Sequence, residues 1–183
     1  MIITIWKRRL IVLCAALGPT AAACGDGGPL DVSGRWQAVR IEWTQNDQPV
    51  TLTVDGELQM GRFKLPTRPA SFEPMIAAMG HVTIEVNQNV RELSGRVHAD
   101  AEAPGPVLSQ VGARPGSVVA EFSGRLVNDT LGTVTVVTPD GRQREIVLVI
   151  EADGDRVVAR AVPVFGEADA DAGDVVLERA QRM

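Results

Sequence analysis

The chain has 183 residues, of which 45% are apolar and 22% are charged, and it contains only two cysteines. This composition fits one globular domain with a short additional segment, and it excludes a collagen, a disulfide-rich scaffold and a polytopic membrane protein. The net charge is −5, and without the first 23 residues 15 basic residues stand against 23 acidic ones, a net charge of −8. A nucleic-acid partner is therefore not expected, because binding to phosphates needs a basic surface.

Residues 1–23 have the features of a signal peptide. Three basic residues at positions 7–9 precede an apolar run at residues 10–17. That run is too short to cross a bilayer, which needs a helix of about 20 residues. Small residues then lead to Cys24, which would have no disulfide partner once Cys14 leaves with the signal peptide.

The segment 20–24 (TAAAC) resembles the lipobox of bacterial lipoproteins, although Ala21 stands where Leu is usual. The resemblance implies cleavage before Cys24, lipidation of that cysteine and anchoring in the cell envelope, facing the periplasm. Because Gly25 follows the cysteine, the outer membrane is the expected destination. There are two alternatives. Ordinary signal cleavage at the same bond would give a secreted soluble protein, and an uncleaved segment would act as an anchor.

This assignment predicts three parts: a signal peptide at 1–23, a lipidated cysteine with its tether at 24–33, and one folded domain at 34–183. The tether after Cys24 is rich in glycine and would span about 16 Å as a flexible coil. Contact with the membrane would then come from the lipid alone, because several acyl chains suffice for stable anchoring.

From residue 33 onward, apolar and polar residues alternate with period two, and turn residues separate the runs. The pattern predicts strands at 34–43, 50–54, 57–65, 81–86, 90–99, 118–127, 133–138, 143–151, 156–164 and 174–179. So many short strands favour antiparallel pairing over β-α-β crossovers.

Two segments between the strands differ from this pattern. One short helix is predicted, with Ser71 as its N-cap and Gly80 as its stop. Residues 101–116 contain three prolines and three glycines, and they are predicted to be either a functional loop or a disordered excursion.

The tetrapeptide Ser-Gly-Arg followed by an apolar residue occurs three times, at 33–36, 94–97 and 123–126. Period two places Gly34, Gly95 and Gly124 on the same face as their apolar neighbours. Glycine on the inner face of a sheet allows sharp bending, which is how barrels turn corners. Three strands are thus predicted to curl, with coincidence in a chain rich in glycine and arginine as the alternative.

The segment Gly34-Arg35-Trp36 at the start of the first strand resembles the G-x-W signature of lipocalin-like (calycin) barrels. The resemblance implies that Trp36 closes the base of the barrel, that Arg179 of the last strand packs across it, and that the interior can bind a small apolar ligand. We therefore expect an all-β antiparallel meander that closes into a lipocalin-like barrel with one short helix. A split barrel or a sandwich is the alternative, since a long helix before the last strand and a disulfide are missing from the sequence.

Two groups of residues could hold a metal ion. A turn at Gln88-Asn89 would place His81 and His98 diagonally on one polar face, about 7 to 8 Å apart, where Zn²⁺ could bind. An exposed polar sheet face explains the same pattern without a metal, and we expect no cofactor.

The acidic loop before the last strand contains Asp169 and Asp171 and is followed by Asp174. Oxygen-rich loops of this kind can bind Ca²⁺, but Gly173 stands where the calcium-loop pattern needs its third acid. A solvated acidic turn is the preferred interpretation.

The sequence contains no nucleophile elbow and no phosphate-binding loop, so an enzyme is not expected. The leading hypothesis is a non-catalytic, membrane-tethered lipoprotein that binds a small apolar ligand. The alternative is a structural lipoprotein that contacts an envelope protein through a strand edge or through residues 101–116, and a third option is an enzyme that uses His81 and His98. An open apolar cavity above about 300 Å³ near Trp36 would favour the ligand-binding lipoprotein. A solid core with an uncovered strand edge would favour the structural lipoprotein.

Overall fold

The computed structural model of the chain describes residues 30–67, 69–110, 113–151, 154–163 and 172–180. The predicted signal peptide, Cys24 and the tether up to residue 29 lie outside the described residues, as do Asp169 and Asp171. The described residues form the following elements: β1 Gly34–Gln45, β2 Gln48–Thr53, β3 Leu58–Met60, β4 Phe63–Leu65, α1 Glu73–His81, β5 Val82–Asn89, β6 Glu92–Ala99, α2 Gly105–Gln110, β7 Val118–Leu126, β8 Leu131–Val137, β9 Gln143–Ile150, β10 Arg156–Pro163 and β11 Ala172–Arg179.

Eight of these strands close into an antiparallel barrel. The strands β5 to β11 each pair with the next one along the chain, and β1 joins the two ends of this sheet. The first residues of β1, Gly34 to Gln37, pair with β5, and residues from Trp36 to Glu42 pair with β11. The predicted all-β antiparallel barrel is confirmed, and the sheet is closed rather than split or layered as a sandwich.

The two ends of the barrel are named by what lies there. At the Trp36 end, β1 begins and β11 ends. At the α1 end, β5 begins directly after α1, and α2 lies between β6 and β7. The turn that joins β8 to β9 also lies at the α1 end, because neighbouring strands run in opposite directions.

The strand β1 is longer than the barrel needs, and its second half carries a small extension. Residues from Arg40 onward pair with β2, which continues through β3 to β4. Met79 of α1 covers this extension, where it joins a second apolar core. The predicted single strand at 57–65 is wrong: a turn at Gly61-Arg62 divides it, and Gly61 has a φ of +58°.

The predicted helix is present as α1, but both ends were predicted wrongly, since the helix continues through Gly80 to His81. Phe72 is the N-cap residue, without a side-chain hydrogen bond, because a 3₁₀ turn at Ala70–Phe72 takes up Ser71. In the predicted loop at 101–116, α2 forms and Leu108 is fully buried against three alanines. Residues 113–116 are also described, so much of this segment is packed structure and not a disordered excursion. Within the described ranges, neither α1 nor α2 nor any other helix has the length and apolar character of a membrane span.

The register of β5 and β6 differs from the prediction. The turn lies at Val90-Arg91, two residues later than expected, with Val90 at a φ of +57°. Gln88 is held within β5, because its side chain accepts a hydrogen bond from Val32 N and donates one to Val90 O. A shift by an even number of residues leaves every side chain on its expected face.

Two predicted inner-face glycines lie where the wall leaves no room for a side chain. A Cβ atom at Gly95 would lie 2.0 Å from the carbonyl oxygen of Glu85, and one at Gly124 would lie 2.0 Å from that of Thr133. Both contacts are with backbone of a neighbouring strand, which cannot move aside as a flexible side chain could. These two positions therefore require glycine, as expected for a sheet that bends sharply.

Candidate ligand-binding site

The Trp36 end of the barrel is closed by an indole and a guanidinium. Trp36 is 1% exposed, and its Nε1 donates a hydrogen bond to the carbonyl of Val32 at 2.9 Å. Arg179 is its direct cross-strand partner on β11, and the guanidinium carbon lies 4.9 Å from the centre of the indole ring. This distance is within the range of a cation–π interaction, which contributes about 0.5 to 2 kcal/mol.

The same guanidinium connects three separate segments of the chain. Arg179 Nη1 donates to the carbonyl of Ser33 at 2.7 Å, and Nη2 donates to that of Asp31. Its Nε contacts the turn between β9 and β10, with the carbonyl of Gly154 at 3.3 Å and the carboxylate of Asp155 at 3.0 Å. Arg179 thus holds the entry segment, the last strand and a turn together around Trp36.

A cavity of about 240 Å³ lies inside the barrel next to Trp36. Every described side chain that lines it is apolar: Val32, Trp36, Ile84, Val86, Leu93, Val97, Phe122, Val134, Val136, Ile146, Leu148, Ile150, Val157, Ala159, Val162, Val175 and Leu177. The volume is below the 300 Å³ or so set above as the mark of a ligand-binding barrel, which is also typical of pockets for drug-sized ligands. It is larger than a cavity of about 150 Å³ that binds benzene, so by proportion it could hold about ten non-hydrogen atoms.

Burial of the wall changes along the barrel axis. At the Trp36 end, Val32, Ile150 and Leu177 are buried. Towards the α1 end, Val136 and Ile146 are only half-buried although they too face the interior. On β8 to β11 the wall is therefore more exposed towards the α1 end, whereas on β5 Ile84 and Val86 are half-buried at the Trp36 end itself.

One residue towards the α1 end was missed in the sequence analysis. Arg144 lies on β9 and is the direct cross-strand partner of Val136, which lines the cavity. Directly opposite residues share a face of the sheet, so Arg144 occupies an inner-face position. The signal was present in the sequence, because Arg144 alternates in phase with Ile146, Leu148 and Ile150.

The two histidines do not form the predicted pair. His81 is the last residue of α1. Because of the shifted register, His98 on β6 lies opposite Thr83 on β5. His98 Nε2 lies 3.6 Å from the carboxylate of Glu85, too far for a hydrogen bond, and that carboxylate accepts a hydrogen bond from Arg35. A neighbouring guanidinium opposes binding of a cation at this place.

The remaining metal candidate that the structure describes is Asp174. It forms an ion pair with Arg160 of the neighbouring strand. Across the described ranges, no three residues of the kind that ligate metals come together in one group. The geometry therefore gives no support to a site for Zn²⁺ or Ca²⁺ there.

An uncovered strand edge lies on the extension. Among the described strands, β4 ends the sheet without a further neighbour, and Phe63 on it is 76% exposed. The edge is only three residues long, contains Lys64 and is followed by Pro66. Short length, lysine and proline are features by which proteins discourage the pairing of an edge strand with another chain.

A comparison with protein-family models, with curated proteins and with solved structures found no match to this chain.

Proposed function

We propose that this protein is a non-catalytic, lipocalin-like lipoprotein that binds a small apolar ligand inside its barrel. The observation that carries the proposal is the cavity of about 240 Å³ next to Trp36, whose described lining is entirely apolar. Such a lining offers water none of the two to four polar partners that it needs, so an apolar molecule is the suitable occupant.

The stability of the fold gives a second argument. An unfilled apolar cavity leaves its lining side chains without packing contacts, which lowers the stability of the fold relative to a filled core. An eight-stranded barrel can be filled by its own side chains, and larger residues at a few positions would suffice. Retention of the cavity at this cost favours a role in binding.

The proposed location is the cell envelope, with the domain anchored through lipidated Cys24. The described chain enters the barrel at the Trp36 end, where Leu30 packs against the barrel core. A tether at this end would hold the closed end towards the membrane. The α1 end would then face the periplasm, from which the ligand would be taken up.

The alternative function is an interaction lipoprotein without a ligand. The exposed Phe63 on the free edge of β4 is the observation in its favour. The shortness of that edge, with Lys64 within it and Pro66 after it, favours the ligand-binding proposal instead.

The test compares the wild-type chain with Ile146→Trp and Val147→Trp. Ile146 faces the cavity, whereas Val147, the next residue, is 39% exposed on the outer face. We expect native mass spectrometry of the wild-type protein from its own membrane to show a co-purified small molecule, and calorimetry of the stripped protein to show binding of 1-octanol. Ile146→Trp should abolish both signals, and Val147→Trp should retain both.

Thermal unfolding of the two variants establishes that each is folded. A bare mass for the wild-type protein, together with no binding of 1-octanol, would exclude the ligand-binding proposal. Equal binding by all three proteins would place the ligand outside the barrel.

A further inference from the structure

A groove on the outer face of the barrel wall is larger than the cavity inside the barrel. It has a volume of about 700 Å³ and lies across β5 to β9. Leu93, Gly124 and Val134 are direct cross-strand neighbours and form its floor. The side chains of Leu93 and Val134 face the inner cavity, so the floor of the groove consists of their backbone.

Two rows of polar side chains border this floor, one on each side. They alternate with the residues that line the inner cavity, so they face outward. Neighbouring residues of a row are direct cross-strand partners, so each row runs around the barrel from strand to strand. The row nearer the Trp36 end is Asn89, Glu92, Arg125 and Thr133, and the row nearer the α1 end is Asn87, Ser94, Ser123, Thr135 and Glu145. Neighbouring strands lie about 4.8 Å apart, so the longer row spans about 19 Å.

The polar side chains of the two rows have no partners within the described part of the chain. No hydrogen bond or ion pair among the described residues involves any of these nine side chains. The next row towards the α1 end differs, since Arg35 pairs with Glu85 at 3.1 Å and Arg96 pairs with Glu121 at 2.9 Å. The hydrogen-bonding groups of the groove are therefore available to a ligand.

From this arrangement we propose that the groove is a second binding site, outside the barrel, for a free neutral oligosaccharide. A sugar hydroxyl both donates and accepts hydrogen bonds, so it can pair with amide, hydroxyl, carboxylate and guanidinium groups alike. A cavity of about 150 Å³ holds the six carbon atoms of benzene, so by proportion the groove could hold about 28 non-hydrogen atoms, or two to three sugar rings.

Other classes of ligand fit the groove less well. A phosphate group only accepts hydrogen bonds, and Glu92 and Glu145 outnumber Arg125, the one basic residue of the described lining. A protein partner would rely on aromatic or other large anchors, and the outward-facing side chains of the described lining include no aromatic or aliphatic group. The inference does not depend on the proposed function, because the groove and the cavity lie on opposite faces of the same wall.

The test measures the binding of three neutral trisaccharides: cellotriose, maltotriose and chitotriose. Calorimetry of the wild-type protein should give a dissociation constant of about 1 mM or below for at least one of them. Inorganic phosphate and tetraglycine, which represent an anion and an extended peptide, should bind about tenfold more weakly or not at all. If no trisaccharide binds, or if phosphate or tetraglycine binds as tightly as the best trisaccharide, the inference is overturned.

Two variants assign the binding to the groove. Ser123→Phe places a large side chain at its centre and should abolish binding of the trisaccharide. Thr135→Val keeps the shape of the side chain but removes its hydroxyl, and it should weaken binding about fivefold, the ratio expected for one hydrogen bond. The control is Thr44→Val, which makes the same change at an exposed position in the second half of β1 and should alter nothing.

Thermal unfolding establishes that each variant is folded. Unchanged binding by a folded Ser123→Phe would place the sugar elsewhere and overturn the inference. If Ser123→Phe does not fold, unchanged binding by Thr135→Val would have the same consequence. Titration with 1-octanol tests the inner cavity separately: its failure to bind would contradict the proposed function and leave this inference standing, and loss of sugar binding alone would do the reverse.

Discussion

The Trp36 end and the α1 end of the barrel differ in how tightly the same wall is packed. The strand β9 contributes the buried Ile150 at the Trp36 end and the half-buried Ile146 towards the α1 end. In the same way, β11 contributes the buried Leu177 and the half-buried Val175. Within the described strands, each end also carries one arginine at an inner-face position. At the Trp36 end, its partners are Trp36 and backbone carbonyls of the same chain, so the guanidinium stabilises the fold. At the α1 end, the arginine is Arg144, which lies opposite Val136 of the cavity wall.

The largest expected effect comes from opening the Trp36 end. Trp36→Ala should lower the free energy of unfolding by about 3 to 5 kcal/mol, because it removes a fully buried aromatic side chain and the surface on which Arg179 stacks. Urea denaturation followed by circular dichroism measures this change. The matched control is Trp43→Ala, since Trp43 lies on the same strand but is half-buried in the extension against Phe72.

Trp43→Ala should cost clearly less than Trp36→Ala. Equal losses for the two variants would contradict the view that Trp36 is packed more tightly than Trp43. A loss below about 1 kcal/mol for Trp36→Ala would contradict it more directly, since truncations of buried aromatic residues are rarely that small.

A second pair of variants compares the barrel wall with the looser structure at the α1 end. Gly124→Ala should destabilise the protein by about 1 to 3 kcal/mol or more, because the new methyl group meets the backbone of β8. Gly105→Ala makes the same chemical change in α2, where a Cβ atom would have nothing within 4 Å. It should change the stability by less than about 0.5 kcal/mol, because the methyl group meets nothing and Gly105 is the first residue of α2, outside the helix interior.

The midpoints of urea unfolding for these two variants are the measurement. If Gly124→Ala proved as harmless as Gly105→Ala, the wall at Gly124 could relax, and glycine would not be required for the bend. If both variants were strongly destabilised, α2 would depend on a contact of Gly105 that the static structure does not indicate.

Much of the barrel could be predicted from local patterns, and the errors have local causes. The alternation of apolar residues identified the strands, and the glycines at 95 and 124 lie where the wall leaves no room for a side chain. The turn that separates β3 from β4 was missed although the apolar residues change phase there, from Leu58 and Met60 to Phe63 and Leu65, and although a glycine within a strand is a known sign of a break. The turn after β5 was misplaced because Gln88-Asn89 has turn chemistry, whereas Val90-Arg91 has none.

The site was harder to predict because it depends on residues that are distant in the sequence. The position of Gln88 within β5 depends on Val32, 56 residues earlier. The alternation in β9 places Arg144 on the face of Ile146 and Leu148, but that face becomes a cavity wall only once β11 pairs with β1. A cavity volume results from the packing of all eight strands, and no single segment contains it.

The smallest expected effect concerns pH and again belongs to the Trp36 end. Asp31 accepts a hydrogen bond from the backbone N–H of Ser33 at 2.8 Å, and the hydrogen bonds from Ser33, with a smaller contribution from the charge of Arg179, hold the pKa of this carboxyl below its usual value. A carboxyl with a lowered pKa in the folded state stabilises the fold above the unfolded-state pKa of about 3.9 and loses this contribution as the pH falls through its folded-state value.

Asp31→Asn keeps an oxygen acceptor but cannot ionise. We expect the wild-type protein to be more stable than Asp31→Asn at pH 6, by less than about 0.5 kcal/mol because the carboxylate is exposed to solvent. The difference should shrink at pH 3, as measured by urea midpoints at the two values. A difference that is the same at both pH values would mean that the charge of Asp31 does not contribute, and that the Trp36 end is held by burial and by Arg179 alone.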